Sequence, residues 1–375
     1  MIKHLREWAV LTGACSIFIS SLASATEIER RHVDLVIALD VSGSMSGLIE
    51  SAKQRLWDVV NELGRAQPTP VLRVAILSYG NPAYGANDGF VRIDQPFTSD
   101  LDAVNETLFA FGTNGGDEWV ARAVDRSVHG LQWSTGPDAV KIMFVAGNEA
   151  ATQDPEIGIE TAAYLATDKG IVVNTIYCGD GNDALAPDWH RLATLTNGHF
   201  ASIDQNAAAV AAIATPYDDK LAELNAQLNE TYVAYGTDGM RFRDNQLEQD
   251  RNAAEMSPQA AASRAITKAS AFYDSAKWDL VDAVESGKSL DEFEEAELPA
   301  EMQAMGDAER EAFVAEQAAK REDLREQIAA TDADRQAFIA EERKKQANAP
   351  AGLDDAMLEA LRQSITANGF EFGTN

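Results

Sequence analysis

The chain has 375 residues, of which 45% are hydrophobic, and this supports one large or two modest folded domains. Its 60 acidic residues outnumber 31 basic ones, and the formal net charge of −29 makes nucleic acid and anionic membrane surfaces poor partners. Two cysteines are too few for a disulfide-dense scaffold or a zinc ribbon.

The first 25 residues have the pattern of a secretory signal peptide. A basic start is followed by an apolar run over residues 8–22 and by the triplet Ala23-Ser24-Ala25. This order predicts cleavage after Ala25, and the run is too short and too rich in Ser and Gly for a stable membrane span. We therefore expect a periplasmic or secreted mature chain without a membrane span.

From residue 32 to residue 215, short apolar runs alternate with segments of helical periodicity. The sequence predicts buried strands over 33–39, 71–78, 139–146 and 171–177, an alternating edge strand over 90–97 and a last strand over 199–203. The periodic segments predict helices over 47–64, 118–129, 155–169 and 189–196, and a further helix capped by Ser99 or Asp100 that ends at Phe109. This alternation predicts a doubly wound, Rossmann-like α/β fold with a mostly parallel sheet, whose ligands bind at the carboxyl ends of the strands.

After residue 215 the composition changes and strand-forming residues become rare. Apolar residues fall at helical spacing, as in Leu221, Leu224 and Leu228, and charges of both signs interleave over 289–346. We therefore expect an α/β domain over 26–215 and an all-α C-terminal extension over 216–375. These helices either pack as an appendage or await a partner.

The motif that carries chemistry follows the first predicted strand and reads Asp40-Val41-Ser42-Gly43-Ser44. One carboxylate and two hydroxyls at alternate positions can direct three oxygens to one point. Hard oxygen donors of this kind suit Mg²⁺, Mn²⁺ or Ca²⁺ rather than zinc or copper. The alternative interpretation is a loop that caps the following helix.

This motif resembles the metal-ion-dependent adhesion site of the von Willebrand factor type A family, and the resemblance extends over residues 32–215. The segments 144–149 and 177–179 are similar to a bacterial exported subgroup that carries a C-terminal helical tail. The resemblance implies that Ser42 and Ser44 coordinate the ion directly, and that Asp40 does so through water.

Two further loops of the family's site depart from its usual pattern in this chain. The second loop usually reads Gly-Gly-Thr, whereas this chain has Gly115-Gly116-Asp117, so that Asp117 falls at the position of the threonine ligand and Thr113 is the substitute candidate. The third loop usually offers an aspartate, and Asn148 stands there instead. Asp40 and Asp117 would then supply two carboxylates to the ion.

The predicted function is an exported, non-enzymatic binding module with a divalent cation, preferably Mg²⁺. An unidentified protein partner would supply a carboxylate to the ion or dock across the loops that carry Thr113, Glu118 and Glu149. A directly coordinating Asp117 would weaken the attraction for such a carboxylate, and Asp117→Thr would then strengthen partner binding. The first alternative is a periplasmic scaffold whose ion only stiffens the loops, and the second is a metal-assisted hydrolase with Glu118 or Glu149 as the base. The oligomeric state stays open.

Overall fold

The computed structural model of the chain describes residues 31–203, 213–345 and 353–372, so the predicted signal peptide lies outside the described residues. The strands are β1 His32–Asp40, β2 Ala66–Gln67, β3 Val71–Tyr79, β4 Val91–Thr98, β5 Val140–Gly147, β6 Ile171–Tyr177, β7 Phe200–Ser202 and β8 Glu371–Phe372. The helices are α1 Ser46–Gly64, α2 Leu101–Phe109, α3 Val120–Gly130, α4 Ile159–Asp168, α5 Ala186–Leu195, α6 Asp218–Asn229, α7 Gly239–Met256, α8 Pro258–Ala269, α9 Leu280–Glu285, α10 Ala300–Gln303, α11 Asp307–Lys345 and α12 Leu353–Ala367.

Six strands form the central sheet in the order β4-β3-β1-β5-β6-β7. The edge strand β4 is antiparallel to β3, and the other neighbouring pairs are parallel. The predicted doubly wound fold is therefore confirmed. The chain adds β3 on one side of β1 and later adds β5 on its other side, so the direction in which strands are added to the sheet reverses at β1. Folds of this class bind their ligands at the carboxyl ends of the strands beside such a point.

Helices cover both faces of the sheet, as the apolar strands require. Leu35 and Ile37 of β1 face a core built with α1, α2 and α12, whereas Val36 and Ala38 face a second core built with α3, α4 and α5. This alternation follows from the two-residue period of a strand that is buried on both sides.

Three predicted helices begin elsewhere than the periodicity indicates. The helix predicted over 155–169 begins at Ile159, because the Asp154 carboxylate accepts hydrogen bonds from the backbone N–H groups of Glu156 and Ile157 and holds a turn there. The helix predicted from residue 118 begins at Val120, and the one predicted from residue 189 begins at Ala186, where the Asp183 carboxylate accepts from the backbone. Of the two candidate caps of α2, Asp100 accepts from Ala103.

The described residues from 213 onwards are mainly helical, with the short strand β8 near their end, and they share a core with the sheet domain. Met357, Leu361 and Ile365 of α12 belong to the same hydrophobic cluster as Leu35 and the buried part of α1. After α12, β8 pairs with β2 in an antiparallel ladder. The boundary at residues 215 and 216 stays a prediction, but the core of the sheet draws on chain from both sides of it.

The helical region also builds its own apolar clusters. One joins α6, α8 and α11 around Tyr232 and Trp278, and another surrounds Leu280, Met302 and Val314. Within the three described ranges, no helix is both long enough and apolar enough to cross a bilayer.

Candidate metal centre

The candidate centre begins at Asp40, the last residue of β1. Its side chain is fully buried, and its Oδ1 atom accepts a hydrogen bond of 2.8 Å from the Ser42 backbone N–H. Gly80 follows β3 and Gly147 is the last residue of β5, and both lie against the carboxylate. A Cβ atom at Gly80 would approach Asp40 Oδ1 to 2.8 Å, and one at Gly147 would approach Oδ2 to 3.1 Å. The absence of side chains at both glycines therefore makes room for this carboxylate.

The second oxygen of Asp40 is the unusual feature of this site. Within the described part of the chain, Oδ2 is buried and has no hydrogen-bond partner. Burial raises the pKa of Asp40 to about 7; hydrogen bonds from Ser42 oppose the shift, and the nearby carboxylates of Glu118 and Glu149 add to it. A buried carboxylate with a free oxygen lacks a cationic partner, which is what a bound divalent ion would supply.

The two serines and the asparagine of the predicted set lie together. The hydroxyl oxygens of Ser42 and Ser44 are 3.3 Å apart, and the Asn148 side-chain amide donates a hydrogen bond of 3.1 Å to the Ser44 hydroxyl. Ser42 is buried and Ser44 is exposed, so this row of oxygens leads from Asp40 towards solvent.

The second loop contacts the first one, and its carboxylate nearest the centre belongs to Glu118 and not to Asp117, which the spacing of the family motif indicates. The Asn114 backbone N–H donates to the Val41 carbonyl oxygen at 2.9 Å, which holds the two loops together. Asp117 is exposed, as is Thr113. Glu118 is 9% exposed, and its side chain lies near that of Ser42, since a Cβ atom at Gly80 would be 3.0 Å from Glu118 Cγ and 3.5 Å from Ser42 Cβ.

Long-range packing explains why Glu118 rather than Asp117 lies inside. A Cβ atom at Gly116 would come within 2.8 Å of the Gly80 carbonyl oxygen, so the chain passes tightly over the end of β3 before it turns into α3. The Glu118 backbone N–H then donates to Gln153 Oε1 at 3.1 Å. Neither contact is encoded by a local pattern, and the family's Gly-Gly-Thr spacing by itself led to the neighbouring residue.

The third loop is fixed by contacts on both of its sides. Arg122 on α3 forms a bidentate ion pair with Asp154, whose two oxygens lie 2.8 and 3.0 Å from the guanidinium nitrogens. The Trp189 indole N–H donates to the Glu149 carbonyl oxygen at 2.8 Å. The loop that carries Asn148 and Glu149 is thus held in place from α3 and from α5.

Burial raises the pKa of Glu118, and the neighbouring Glu149 carboxylate raises it further, while hydrogen bonds from Ser42 and Gln153 act in the opposite direction. Over the described ranges, no group of three or more His, Cys, Asp or Glu side chains has the arrangement of a metal site. The donors gathered here are instead mixed, namely two carboxylates, two hydroxyls and one amide. Oxygen donors of this mixed kind suit a hard divalent cation.

Comparison with known proteins finds a family for the sheet domain. The family model of the von Willebrand factor type A domain matches residues 34–216. A search of the curated proteins finds no match.

Solved structures resemble a little under half of the chain. They include proximal thread matrix protein 1 from the mussel byssus with a zinc-occupied MIDAS motif (12% identity, 46% of this chain, 42% of that chain, TM-score 0.37). They also include the pilus adhesin SpaC from Lactobacillus rhamnosus GG (15% identity, 47% of this chain, 28% of that chain, TM-score 0.37). A third is the SpRpn10 VWA domain (12% identity, 46% of this chain, 88% of that chain, TM-score 0.35). The match spans about two fifths of the byssus protein, and similarities this low carry no argument about function.

Proposed function

We propose, given that residues 34–216 are a von Willebrand factor type A domain, that this domain binds a divalent cation at Asp40, Ser42, Ser44 and Asn148 and presents it to a protein partner. Domains of this family are generally interaction modules and not enzymes. The cation would be Mg²⁺, with Mn²⁺ or Ca²⁺ as substitutes.

One observation carries the proposal: among the described residues, Asp40 Oδ2 is a buried carboxylate oxygen without a hydrogen-bond partner, and it lies at the inner end of a row formed by the Ser42 and Ser44 hydroxyls and the Asn148 amide. A bound cation would compensate the buried charge of Asp40. The neutral oxygens of Ser42, Ser44 and Asn148 would contribute to its shell without adding charge. The exposed position of Ser44 leaves this row open towards a partner.

We further propose that the protein acts outside the cytoplasm, as in the bacterial exported subgroup that it resembles. The support is the signal-peptide pattern over residues 1–25, which lies outside the described residues. The acidic composition of the chain argues for a protein partner rather than a nucleic acid.

Calorimetric titration of the full chain with Mg²⁺, Mn²⁺ and Ca²⁺ tests the cation site. We expect one site per chain in the wild type and none in the double variant Ser42→Ala, Ser44→Ala. Ser99→Ala is the matched control. Ser99 is exposed and follows the end of β4 that pairs with the start of β3, whereas the candidate site lies where β1 and β3 end. Wild-type protein that binds none of the three ions would contradict the proposal.

Partner capture is tested separately. A pull-down from envelope extract should retain a protein with wild type and Mg²⁺, and should lose it with a chelator or with the double serine variant. If neither the chelator nor the double serine variant changes the retention of that protein by the full chain, the scaffold alternative is correct and the ion is only structural.

A further inference from the structure

We propose that Glu118, and not the adjacent Asp117, is the second carboxylate of the metal centre, and that it closes the site to acidic partners. The partner would then present a neutral oxygen to the ion, from a hydroxyl, an amide or a backbone carbonyl. This inference rests on the proposed function and specifies the chemistry of its partner.

The position of Glu118 supports this role. Glu118 is 9% exposed, and its side chain lies beside Gly80 and Ser42, which the first loop and the end of β3 bring together. A Cβ atom at Gly80 would lie 2.8 Å from Asp40 Oδ1 and 3.0 Å from Glu118 Cγ, so the two acidic side chains approach the same glycine. Glu118 therefore extends towards the oxygens that the first loop provides.

The orientation of Glu118 is fixed by its neighbours. Gln153 of the third loop accepts a hydrogen bond from the Glu118 backbone N–H at 3.1 Å. Asp117 is exposed. Two adjacent acids thus differ in burial and direction, and this makes Asp117 a matched control for Glu118.

The charges at the centre determine what else it can accept. Asp40 and Glu118 together carry two negative charges when both are ionised, which a divalent cation neutralises. Glu149 adds negative potential, since its carboxylate interacts unfavourably with both Asp40 and Glu118. A carboxylate from a partner would make the ion and its ligands net negative beside Glu149, whereas a neutral oxygen would meet no such repulsion.

Mn²⁺ is the probe for the first part of the test, because it reports both affinity and the number of bound waters. We compare wild type, Glu118→Gln and Asp117→Asn by calorimetry and by water-proton relaxation, after checking by thermal unfolding that all three fold. We expect Glu118→Gln to weaken Mn²⁺ binding by about tenfold or more and to raise the relaxation rate per bound Mn²⁺ as water replaces the ligand. Asp117→Asn should stay within about twofold of wild type.

Acetate is the probe for the second part, as a free carboxylate that can displace a bound water. Acetate added to the Mn²⁺-loaded protein should leave the relaxation rate of wild type unchanged. In Glu118→Thr, which supplies a neutral hydroxyl in place of the acid, acetate should lower the rate by taking a coordination position.

The outcomes separate this inference from the proposed function. Wild-type protein that binds no Mn²⁺ overturns both. If wild type binds Mn²⁺ but Glu118→Gln binds it equally well, or if Asp117→Asn causes the loss instead, the proposed function stands and the role of Glu118 is wrong. An equal response of wild type and Glu118→Thr to acetate overturns the exclusion of acidic partners.

Discussion

At the scale of single residues, the two buried aspartates of β1 have opposite surroundings. Asp34 forms a bidentate ion pair with Arg73 at 2.8 and 2.9 Å and accepts from the Ser134 backbone N–H. Asp40 receives a backbone hydrogen bond on one oxygen and has no partner on the other. Asp34 is neutralised by an ion pair, as is typical of a charge with a structural role, whereas Asp40 has a free oxygen that can bind a ligand.

This contrast predicts a stability change that depends on pH and on the cation. The pKa of Asp40 is raised from its ordinary value of 3.8 to about 7. The folded state therefore binds more protons than the unfolded state between these values, and the stability contributed by Asp40 is present below pH 4 and is lost as the pH rises to 7. In EDTA at pH 8, Asp40→Asn should raise the free energy of unfolding by about 2 kcal/mol, and at pH 4 it should change little.

Denaturant titration in EDTA at the two pH values measures this effect. Added Mg²⁺ should stabilise the wild type and leave Asp40→Asn unaffected. Asp34→Asn is the control on the same strand, and it should destabilise the protein with or without the cation, since Arg73 loses its partner. A destabilising effect of Asp40→Asn in EDTA at pH 8 would show that the Asp40 carboxylate already has a compensating partner in the chain.

At the scale of elements, α12 is part of the sheet domain although it lies near the end of the chain. Leu361 and Ile365 are fully buried in the core that α1 and β1 share, and the Arg362 guanidinium lies 2.5 Å from the Glu62 carboxylate of α1. The β2–β8 ladder fixes the same end of the chain. We therefore expect the sheet domain to need α12 for its full stability.

Leu361→Ala tests this expectation. The substitution should lower the free energy of unfolding by about 2–5 kcal/mol, because it leaves a cavity in the core between α12 and the sheet. Gln363→Ala, at an exposed position of the same helix, should change it by less than about 0.5 kcal/mol. The measurement is denaturant unfolding followed by tryptophan fluorescence, and equal values for the two variants would mean that α12 is only loosely attached.

At the scale of the whole molecule, buried charges join the helical region to the sheet domain. Arg264 of α8 is fully buried and lies 2.6 Å from the Asp102 carboxylate of α2 and 2.8 Å from that of Asp250 on α7. Its guanidinium also lies 4.7 Å from the centre of the Trp57 ring of α1. One side chain thus connects four helices, two of which belong to the sheet domain.

Arg264→Met should therefore lower the free energy of unfolding by about 3–5 kcal/mol, because it leaves two buried carboxylates with fewer partners. Arg251→Ala removes an exposed ion pair with Glu248 and should cost less than about 1 kcal/mol. Calorimetry of both variants is the measurement. A cost for Arg264→Met no larger than that of the control would show that the buried pairs do not hold the two regions together.

Local patterns were sufficient to predict the α/β alternation, and they also gave the candidate residues of the first loop. Apolar runs and helical stripes are properties of neighbouring residues, and Asp40, Ser42 and Ser44 stand at alternate positions where a buried strand ends. The predicted fold class is confirmed for this reason, and the contact of Asn148 with Ser44 follows from the adjacency of β1 and β5 in a parallel sheet.

Tertiary structure alone decided which acid of the second loop lies inside and where the last helix packs. Glu118 turns inwards because Gly116 passes over the end of β3 and because Gln153 holds the Glu118 backbone. The return of α12 to the sheet depends on a core whose members, such as Leu35 and Leu361, lie far apart in the chain. Contacts of this kind arise only when distant segments meet, so no periodicity or spacing within either segment reveals them.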